Sequence, residues 1–479
     1  MRRLLSLMLP LTALVLLWTS VARAAERPNI LFIFTDDQAP WALGKSGDPN
    51  ARTPNLDRLF SEGAYLTNNF TVTPVCSPSR TSLISSRYGT EMGITDWIRS
   101  RNEAELGLDP ATPVWPRLLR DAGYQTALIG KWHLGTLDRF HPKQFGYEYF
   151  MGFREGGTSP KNPRLEVNGR MQTVRGLTTD ILTDETIRWL RLRDPKQGPF
   201  AVSLHYRAPH ARWLPVRDED WSPFEKLDPT IPNPDFPKLD TERVRRMTRE
   251  YLASTAGVDR NVGKLLEELR LLGLEDNTIV IFSSDHGYNM GHNGIWHKGN
   301  GHWVLTEPPA ATENIPKGQR PNMYDHSIRI PTAVRWPGVT SPGTVIDETT
   351  SNLDWFPTLL EMAGVDLPED VVVRGRSIVP LLKGQIPDDW DNDFYAEYST
   401  HHQSHTHMRM YRTPEWKLVR DFLNPERDEL YNLQDDPAET RNLIGDDSPQ
   451  VRQVIAELHE KILQRMREIN DPVLETLER

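Results

Sequence analysis

The sequence predicts an α/β fold, doubly wound around a mostly parallel central sheet, with a smaller C-terminal subdomain of antiparallel sheet and terminal helix. Three observations lead there. Several short apolar runs end abruptly in polar or ionisable residues, helical patterns lie between them, and from about Asp391 the texture changes to short strands separated by turns. Continuous apolar runs of this length suit strands buried on both faces, as in a parallel sheet, and intervening helices supply the crossovers.

The chain opens on a segment unlike the rest. Arg2 and Arg3 precede an apolar run from Leu4 to Trp18, and Ala22-Arg23-Ala24 offers small residues for cleavage. That order is the order of a secretory signal peptide, assigned to residues 1–24, and it predicts a periplasmic or secreted protein. The uncharged stretch also approaches membrane-spanning length, so a retained anchor is the minority reading. No second apolar run of that length follows, so the mature form is expected to be free of the membrane.

Four strands are predicted in the main domain, residues 25–385. Asn29–Phe34 runs into Thr35-Asp36-Asp37, and Thr126–Ile129 into Gly130-Lys131-Trp132-His133. Phe200–Leu204 runs into His205 and then Pro209-His210, and Thr278–Phe282 into Ser283-Ser284-Asp285-His286-Gly287. Helices are expected from Thr53-Pro54 through Leu56, Leu59 and Phe60, over Val114–Ala122 with Gly123 as the stop, and over Thr178–Leu192 and Thr241–Leu272. In an open α/β sheet, ligands bind beyond the carboxyl ends of the strands. These four strand ends would therefore bring Asp, Lys, His and Asp-His to one crevice. Pro209–Pro237 and Gly299–Pro321 are long for connections and read as lids or substrate loops.

In the C-terminal subdomain, residues 386–479, four short strands are expected at Asp393–Tyr398, His407–Arg412, Trp416–Phe422 and Glu429–Leu433. Ser448-Pro449 then opens a helix with Val451, Ile455, Leu458, Ile462 and Met466 three or four residues apart.

The formal charge is −10, and loss of Arg2, Arg3 and Arg23 with the leader makes it more negative. Such a chain is a poor general binder of nucleic acid or anionic membrane, so an anionic substrate requires a local basic pocket. The single cysteine, Cys76, cannot form an internal disulfide. It is either a small core residue or one kept for its chemistry.

The segment Val75-Cys76-Ser77-Pro78-Ser79-Arg80-Thr81-Ser82-Leu83, continuing to Tyr88-Gly89, resembles the C-x-P-S-R signature of the type I (formylglycine-dependent) sulfatases of the alkaline-phosphatase-like superfamily. Asp36-Asp37, Gly130-Lys131-Trp132-His133, Pro209-His210, Ser284-Asp285-His286-Gly287 and Lys298 follow in the family order, and Asp428–Pro437 looks like the family's C-terminal segment. The resemblance thus spans nearly the whole chain after the leader.

It implies that Cys76 is oxidised to formylglycine by a separate maturation enzyme. A thiol attacking sulfur would leave an adduct with no simple exit. The aldehyde hydrate instead carries two hydroxyls on one carbon, one to attack sulfur and one to expel sulfate afterwards. Cys76 lies just before Pro78-Ser79, the expected start of a helix whose amides favour an anion, and Arg80 would point back at the modified residue.

The same resemblance implies a metal site of Asp36, Asp37, Asp285 and His286 with residue 76. Oxygen ligands suit Ca2+, with Mg2+ the lesser choice, and His286 stands where many members carry Asn. Taken alone, Asp36-Asp37 would read as a cap. Lys131 and Lys298 would bind sulfate oxygens, and His133 would serve as the base for the second hydroxyl. His210 would protonate the leaving oxygen, with His205 as the nearby competitor.

Trp97, Arg99, Arg101 and Trp303 are candidates for substrate contact, although a Trp is more often core. The tract His401, His402, His405 and His407 reads as a solvated loop, as a sugar-contacting overhang or as a transition-metal site, in that order of preference for the first two over the third. The expected activity is hydrolysis of sulfate monoesters on a sulfated carbohydrate or small molecule. The rivals are a phosphonate monoester or phosphodiester hydrolase with the same modified residue, and a catalytically silent sulfated-glycan-binding protein.

Overall fold

The computed structural model describes residues 27–477, so the predicted leader lies outside the described residues. Among the described residues, no helix is long and apolar enough to cross a membrane.

The main domain is built on a ten-stranded sheet. Five neighbouring strands, Thr278–Ser284, Asn29–Asp36, Phe200–Pro209, Gln125–Lys131 and Tyr149–Phe153, run parallel, with Ile30 in register with both Ala201 and Ile279. Both outer regions of the sheet include antiparallel pairs, such as Thr332–Arg335 against Thr278–Ser284 and Arg164–Val167 against Arg170–Thr173.

The first strand shows why the apolar runs are unbroken. Ile30, Phe32 and Phe34 pack into one core with Leu128, Ile279 and Ile281, whereas Leu31 and Ile33 pack into a second with Ala127, Ile129, Val280 and Phe282. Each face of the strand is covered, so alternation has no solvent side to mark. Each of these large side chains contributes about 1.5–3 kcal/mol by burial. Helices Pro54–Glu62, Thr178–Leu192 and Thr241–Leu271 cover one face, and Trp115–Asp121 and Trp355–Ala363 the other. Asp240 caps the long helix by accepting a hydrogen bond from the Arg243 amide at 3.0 Å. That helix reaches the site directly, since the Tyr251 hydroxyl donates to the Asp37 carbonyl at 2.6 Å.

The signature helix spans Cys76–Ser85. It therefore starts two residues earlier than Pro78 suggested, with Cys76 its first residue. Proline is tolerated at the third position because the amides of the first turn have no intrahelical acceptor.

The C-terminal strands Phe394–Thr400, Thr406–Arg412, Trp416–Asp421 and Glu429–Asn432 form an antiparallel sheet in chain order. Helix Pro449–Glu468, capped by Ser448, buries Val451, Leu458, Ile462 and Met466 against it, and Ile455 is only partly buried. A buried ion cluster ties this subdomain to the main one: Lys417 lies 3.0 Å from Asp325 and 2.6 Å from Glu439, and Arg412 lies 3.2 Å from Asp325. Breaking one partner of such a cluster costs about 3–5 kcal/mol.

The two long connections are mostly packed rather than free. Trp213, Phe224 and Ile231 of the first enter a hydrophobic cluster with Tyr251 and Tyr288, and the second folds into strands Asn300–Trp303 and Gln319–Pro321.

Candidate active site

The ends of four parallel strands meet at one point. Asp36 closes Asn29–Asp36, Lys131 closes Gln125–Lys131, His210 follows Phe200–Pro209, and Asp285-His286 follow Thr278–Ser284. The signature helix aims its first turn at the same place. Asp36, Asp37, Asp285, His286 and Lys131 are fully buried, and Cys76 is 3% exposed.

Around the Cys76 thiol, Lys298 Nζ donates to Sγ at 3.0 Å, with His286 Nε2 at 3.6 Å and Asp36 Oδ1 at 3.7 Å. Burial alone would push this thiol up, but the Lys131 and Lys298 cations hold it well below the usual thiol range. Lys131 Nζ donates to Asp36 Oδ2 at 2.7 Å, and Lys298 Nζ to Asp37 Oδ1 at 2.6 Å. Arg80 grips Asp285 Oδ2 through Nε (3.2 Å) and Nη2 (3.0 Å) and donates from Nη1 to the Lys131 carbonyl at 3.2 Å. One guanidinium thus fixes two strand ends.

The donor set fits a divalent cation. Asp37 Oδ2 is buried with no hydrogen-bond partner among the described residues. His286 Nδ1 lies 3.0 Å from the Gly287 carbonyl, which assigns its proton to Nδ1 and leaves the Nε2 lone pair free. That Nε2 is 3.3 Å from both Asp37 Oδ1 and Asp285 Oδ1. Burial, then the charge of Asp36, pushes the Asp285 carboxyl up to about 7, against the opposing pull of His286 and Arg80. Asp36, Cys76, Asp285 and His286 converge as a ligand group, as do Asp36, Asp37, Cys76 and His210.

His133 and His210 lie on the open side. His133 Nε2 is 3.1 Å from the Ile98 carbonyl, so Nδ1, beside the Cys76 thiol and without a hydrogen-bond partner, carries the lone pair. The ring is close enough to Gly156 that a Cβ there would lie 2.7 Å from it. His210 Nδ1 is 2.6 Å from the Ala211 carbonyl, and Nε2 is 4.0 Å from Asp37 Oδ2. His205 is different: its ring sits against Phe34 with Nδ1 3.1 Å from the Lys131 carbonyl, buried behind Arg80. Burial and the Arg80 charge hold it neutral, well below the usual histidine range. Asp37, His133 and His297 all carry positive φ (69°, 61° and 85°), a left-handed backbone that side-chain-bearing residues rarely adopt and that clusters at functional sites.

Comparison with known proteins gives the family. Residues 28–365 match the Sulfatase family, and residues 319–468 match the family described as N-sulphoglucosamine sulphohydrolase, C-terminal. The chain belongs to the sulfatase family. Among relatives, it is 31% identical to the human steryl-sulfatase over 81% of this chain and 75% of that one. It is 28% identical to the N-acetylglucosamine-6-O-sulfatase of Bacteroides thetaiotaomicron over 92% of this chain and 87% of that one. A solved structure of a protein in complex with its substrate, D-glucosamine-2-N,6-O-disulfate, superposes with a TM-score of 0.79 at 25% identity, covering 93% of this chain and 99% of the other. The phosphonate monoester hydrolase of Agrobacterium radiobacter shares the fold at 20% identity and a TM-score of 0.71, over 92% of this chain and 96% of that one.

In this sulfatase a cleft of about 970 Å³ opens above Cys76. Trp97, Arg99 and Arg101 line it, together with His133, His210 and Lys298. Trp303 is packed outside this lining, beside Arg320. The histidine tract divides. His402 stacks edge-on against Trp97 and His401 sits by Glu103 at 3.2 Å, both behind the cleft wall, while Gln403 between them and His405 reaches the lining. His405 is exposed, and His407 lies on a strand with Nδ1 3.2 Å from the Ser399 hydroxyl.

Glu155, Asn300, His302 and Gln403 also line the cleft and escaped the reading of the sequence. His302 and Asn300 had a signal in the polar Gly-rich stretch after Lys298. Glu155 and Gln403 had none, being single polar residues in loops whose direction only the tertiary fold sets.

Proposed function

We propose that this sulfatase hydrolyses sulfate monoesters on a sulfated glycan, with Cys76 converted to formylglycine by a separate maturation enzyme. Ca2+ would be held by Asp36, Asp37, Asp285, His286 and the oxygen of the modified residue, with Mg2+ the lesser choice. The observation that carries this reading is the convergence around the buried Cys76 of two lysines, one arginine and an unsatisfied carboxylate oxygen.

The hydrated aldehyde supplies the hydroxyl that attacks sulfur, and the cation supplies charge against the sulfate oxygens and the ionising hydroxyl. The remaining work falls to the chain. Lys131 and Lys298 are fixed cations that neutralise a sulfate as its charge redistributes, and burial makes their effect larger than it would be in water. Arg80 holds Asp285 in place from one turn into the helix, whose N-terminal amides favour negative charge on residue 76. His133, with its lone pair at Nδ1 beside residue 76, is suited to take the proton of the second hydroxyl when sulfate leaves. His210 stands at the cleft side of Asp37 and is placed to protonate the departing alcohol.

Glycan action is supported by the relatives that act on sulfated sugars and by a cleft far larger than a sulfate needs. Export through the leader would place the enzyme where sulfated polysaccharides are degraded. The phosphonate or phosphodiester reading has only the shared fold behind it, and a silent binding protein would have no use for the full set of charged groups.

The test is made on protein from its native host. Mass spectrometry of the peptide containing residue 76 should find the aldehyde in place of the thiol, and nitrophenyl sulfate should be turned over well ahead of nitrophenyl phosphate and phosphonate esters. Cys76→Ala should lower sulfate turnover by at least about 10³-fold without unfolding the protein. An unmodified thiol in active enzyme, or a clear preference for the phosphorus esters, overturns the reading.

A further inference from the structure

Two arginines on the cleft wall, Arg99 and Arg101, have no carboxylate partner among the described residues. Other arginines are paired with carboxylates: Arg260 with Asp180 and Asp220, Arg320 with Glu429, Arg409 with Asp471. Arg99 and Arg101, among the described residues, have no carboxylate within 4.0 Å. Arg99 Nε is buried and makes no hydrogen bond, and its guanidinium lies 4.8 Å from the centre of the Trp97 ring. A buried donor without an acceptor is costly, so a nearby acceptor would ordinarily be used.

An acceptor is in fact nearby and is turned elsewhere. Glu103 accepts a hydrogen bond from the Arg99 amide at 2.8 Å, and its two oxygens lie 3.2 Å from His401 Nε2 and 3.4 Å from His402 Nε2. Asp96 accepts from the Trp97 amide at 2.9 Å and the His401 amide at 3.1 Å, and the Trp97 carbonyl takes His402 Nε2 at 2.7 Å. These contacts pin the backbone of the loop from both sides while leaving its two guanidinium groups free. Ile98 is also tied to the signature helix, through its amide and the Ser77 hydroxyl at 3.0 Å. The local charge runs against the protein's net −10. Of the described cleft-lining residues, Glu155 is the only carboxylate, against Arg99, Arg101 and Lys298.

We propose that Arg99 and Arg101 form a second anion subsite, which takes an oxyanion of the glycan other than the sulfate being hydrolysed. The preferred substrates are then polyanionic glycans rather than singly sulfated sugars. This inference rests on the sulfatase reading above and specifies its substrate class. A planar guanidinium stacked on an indole is already oriented, so pairing with a sulfate or carboxylate costs little further ordering. Asp96, Glu103, His401 and His402 act as positioning residues for that loop.

The test measures binding by titration calorimetry to the full chain carrying Cys76→Ala, which prevents hydrolysis. The probes are three disaccharides of one backbone, bearing one sulfate, two sulfates, or one sulfate and one uronic carboxylate. At least one of the two dianionic probes should bind about tenfold more tightly than the singly sulfated one, with an advantage that shrinks as salt is raised. Which of them gains tells sulfate from carboxylate. Adding Arg99→Ala and Arg101→Ala should reduce the advantage to within about twofold, and Arg99→Lys should keep part of it. Equal affinity for all three probes before the arginines are changed overturns the proposal, as does a tenfold advantage that survives their removal. Melting curves matched to the parent certify the variants, and Arg99→Lys serves if the double variant does not fold. Failure of the sulfatase reading would appear separately, as matured protein that does not turn over nitrophenyl sulfate.

Discussion

Removing the divalent cation should act on stability and turnover together, and the structure sets the scale. Three carboxylates, Asp36, Asp37 and Asp285, are fully buried, and Asp37 Oδ2 has no hydrogen-bond partner among the described residues. A buried acceptor left unsatisfied costs about 1–3 kcal/mol. Mass action gives a similar figure, since a ligand at about 100 times its dissociation constant stabilises the folded state by about 2.7 kcal/mol. For a chain of 479 residues the unfolding entropy is roughly 1 kcal/mol/K, so the melting temperature should fall by about 3 °C. The assay is differential scanning fluorimetry and nitrophenyl sulfate turnover on matured enzyme, before and after exhaustive chelation, then after adding back Ca2+ or Mg2+. Chelation should lower the melting temperature by that amount and abolish turnover, and Ca2+ should restore both more fully than Mg2+. If chelated, dialysed enzyme keeps both its melting temperature and its rate, the metal assignment of Asp36, Asp37, Asp285 and His286 is wrong.

Two further outcomes follow from the histidines. His210→Gln should slow alkyl sulfates, whose leaving groups need a proton, at least about tenfold more than nitrophenyl sulfate, and equal losses on both would remove His210 from the acid role. His326 stacks on His292 with ring centres 3.8 Å apart, and burial, reinforced by Arg329 and Lys417 and opposed by Asp325, lowers it to about 4. The unfolded chain therefore takes up a proton near pH 6.5 that the folded chain refuses, so stability is lost as pH falls from about 6.5 towards 4, by at most about 3 kcal/mol. His326→Phe should flatten that decline in melting experiments across the same range, and an unaltered slope would refute the assignment.

The main sheet was legible because parallel strands buried on both faces must be apolar throughout. Asn29–Phe34, Thr126–Ile129, Phe200–Leu204 and Thr278–Phe282 each proved to be the core of a longer strand. The strand ends extended because polar residues there face the site rather than solvent: Asp36 and Lys131 remain in the ladder while buried as an ion pair. The helix start was misplaced by two residues because Pro78 marks a first turn without saying where in that turn it stands. What local sequence could not carry was direction. His401 and His402 look alike in the chain, yet both back a wall through which only Gln403 reaches the cleft. Arg99 and Arg101 resemble other exposed arginines until the partner that each lacks can be seen.

The pinning of the loop around Arg99 by His401 and His402 has a consequence for how the enzyme comes into being. The nucleophile, the lysines and the acidic ligands are all translated before residue 300. The brace behind the substrate-facing wall arrives about a hundred residues later, on a hairpin that is itself anchored to the main domain through Arg412 and Asp325. A nascent or truncated chain can therefore possess every reacting group and still lack a rigid cleft. If Arg99 and Arg101 select polyanionic substrates, a lesion that loosens the final sheet should be felt in substrate choice before it is felt in chemistry.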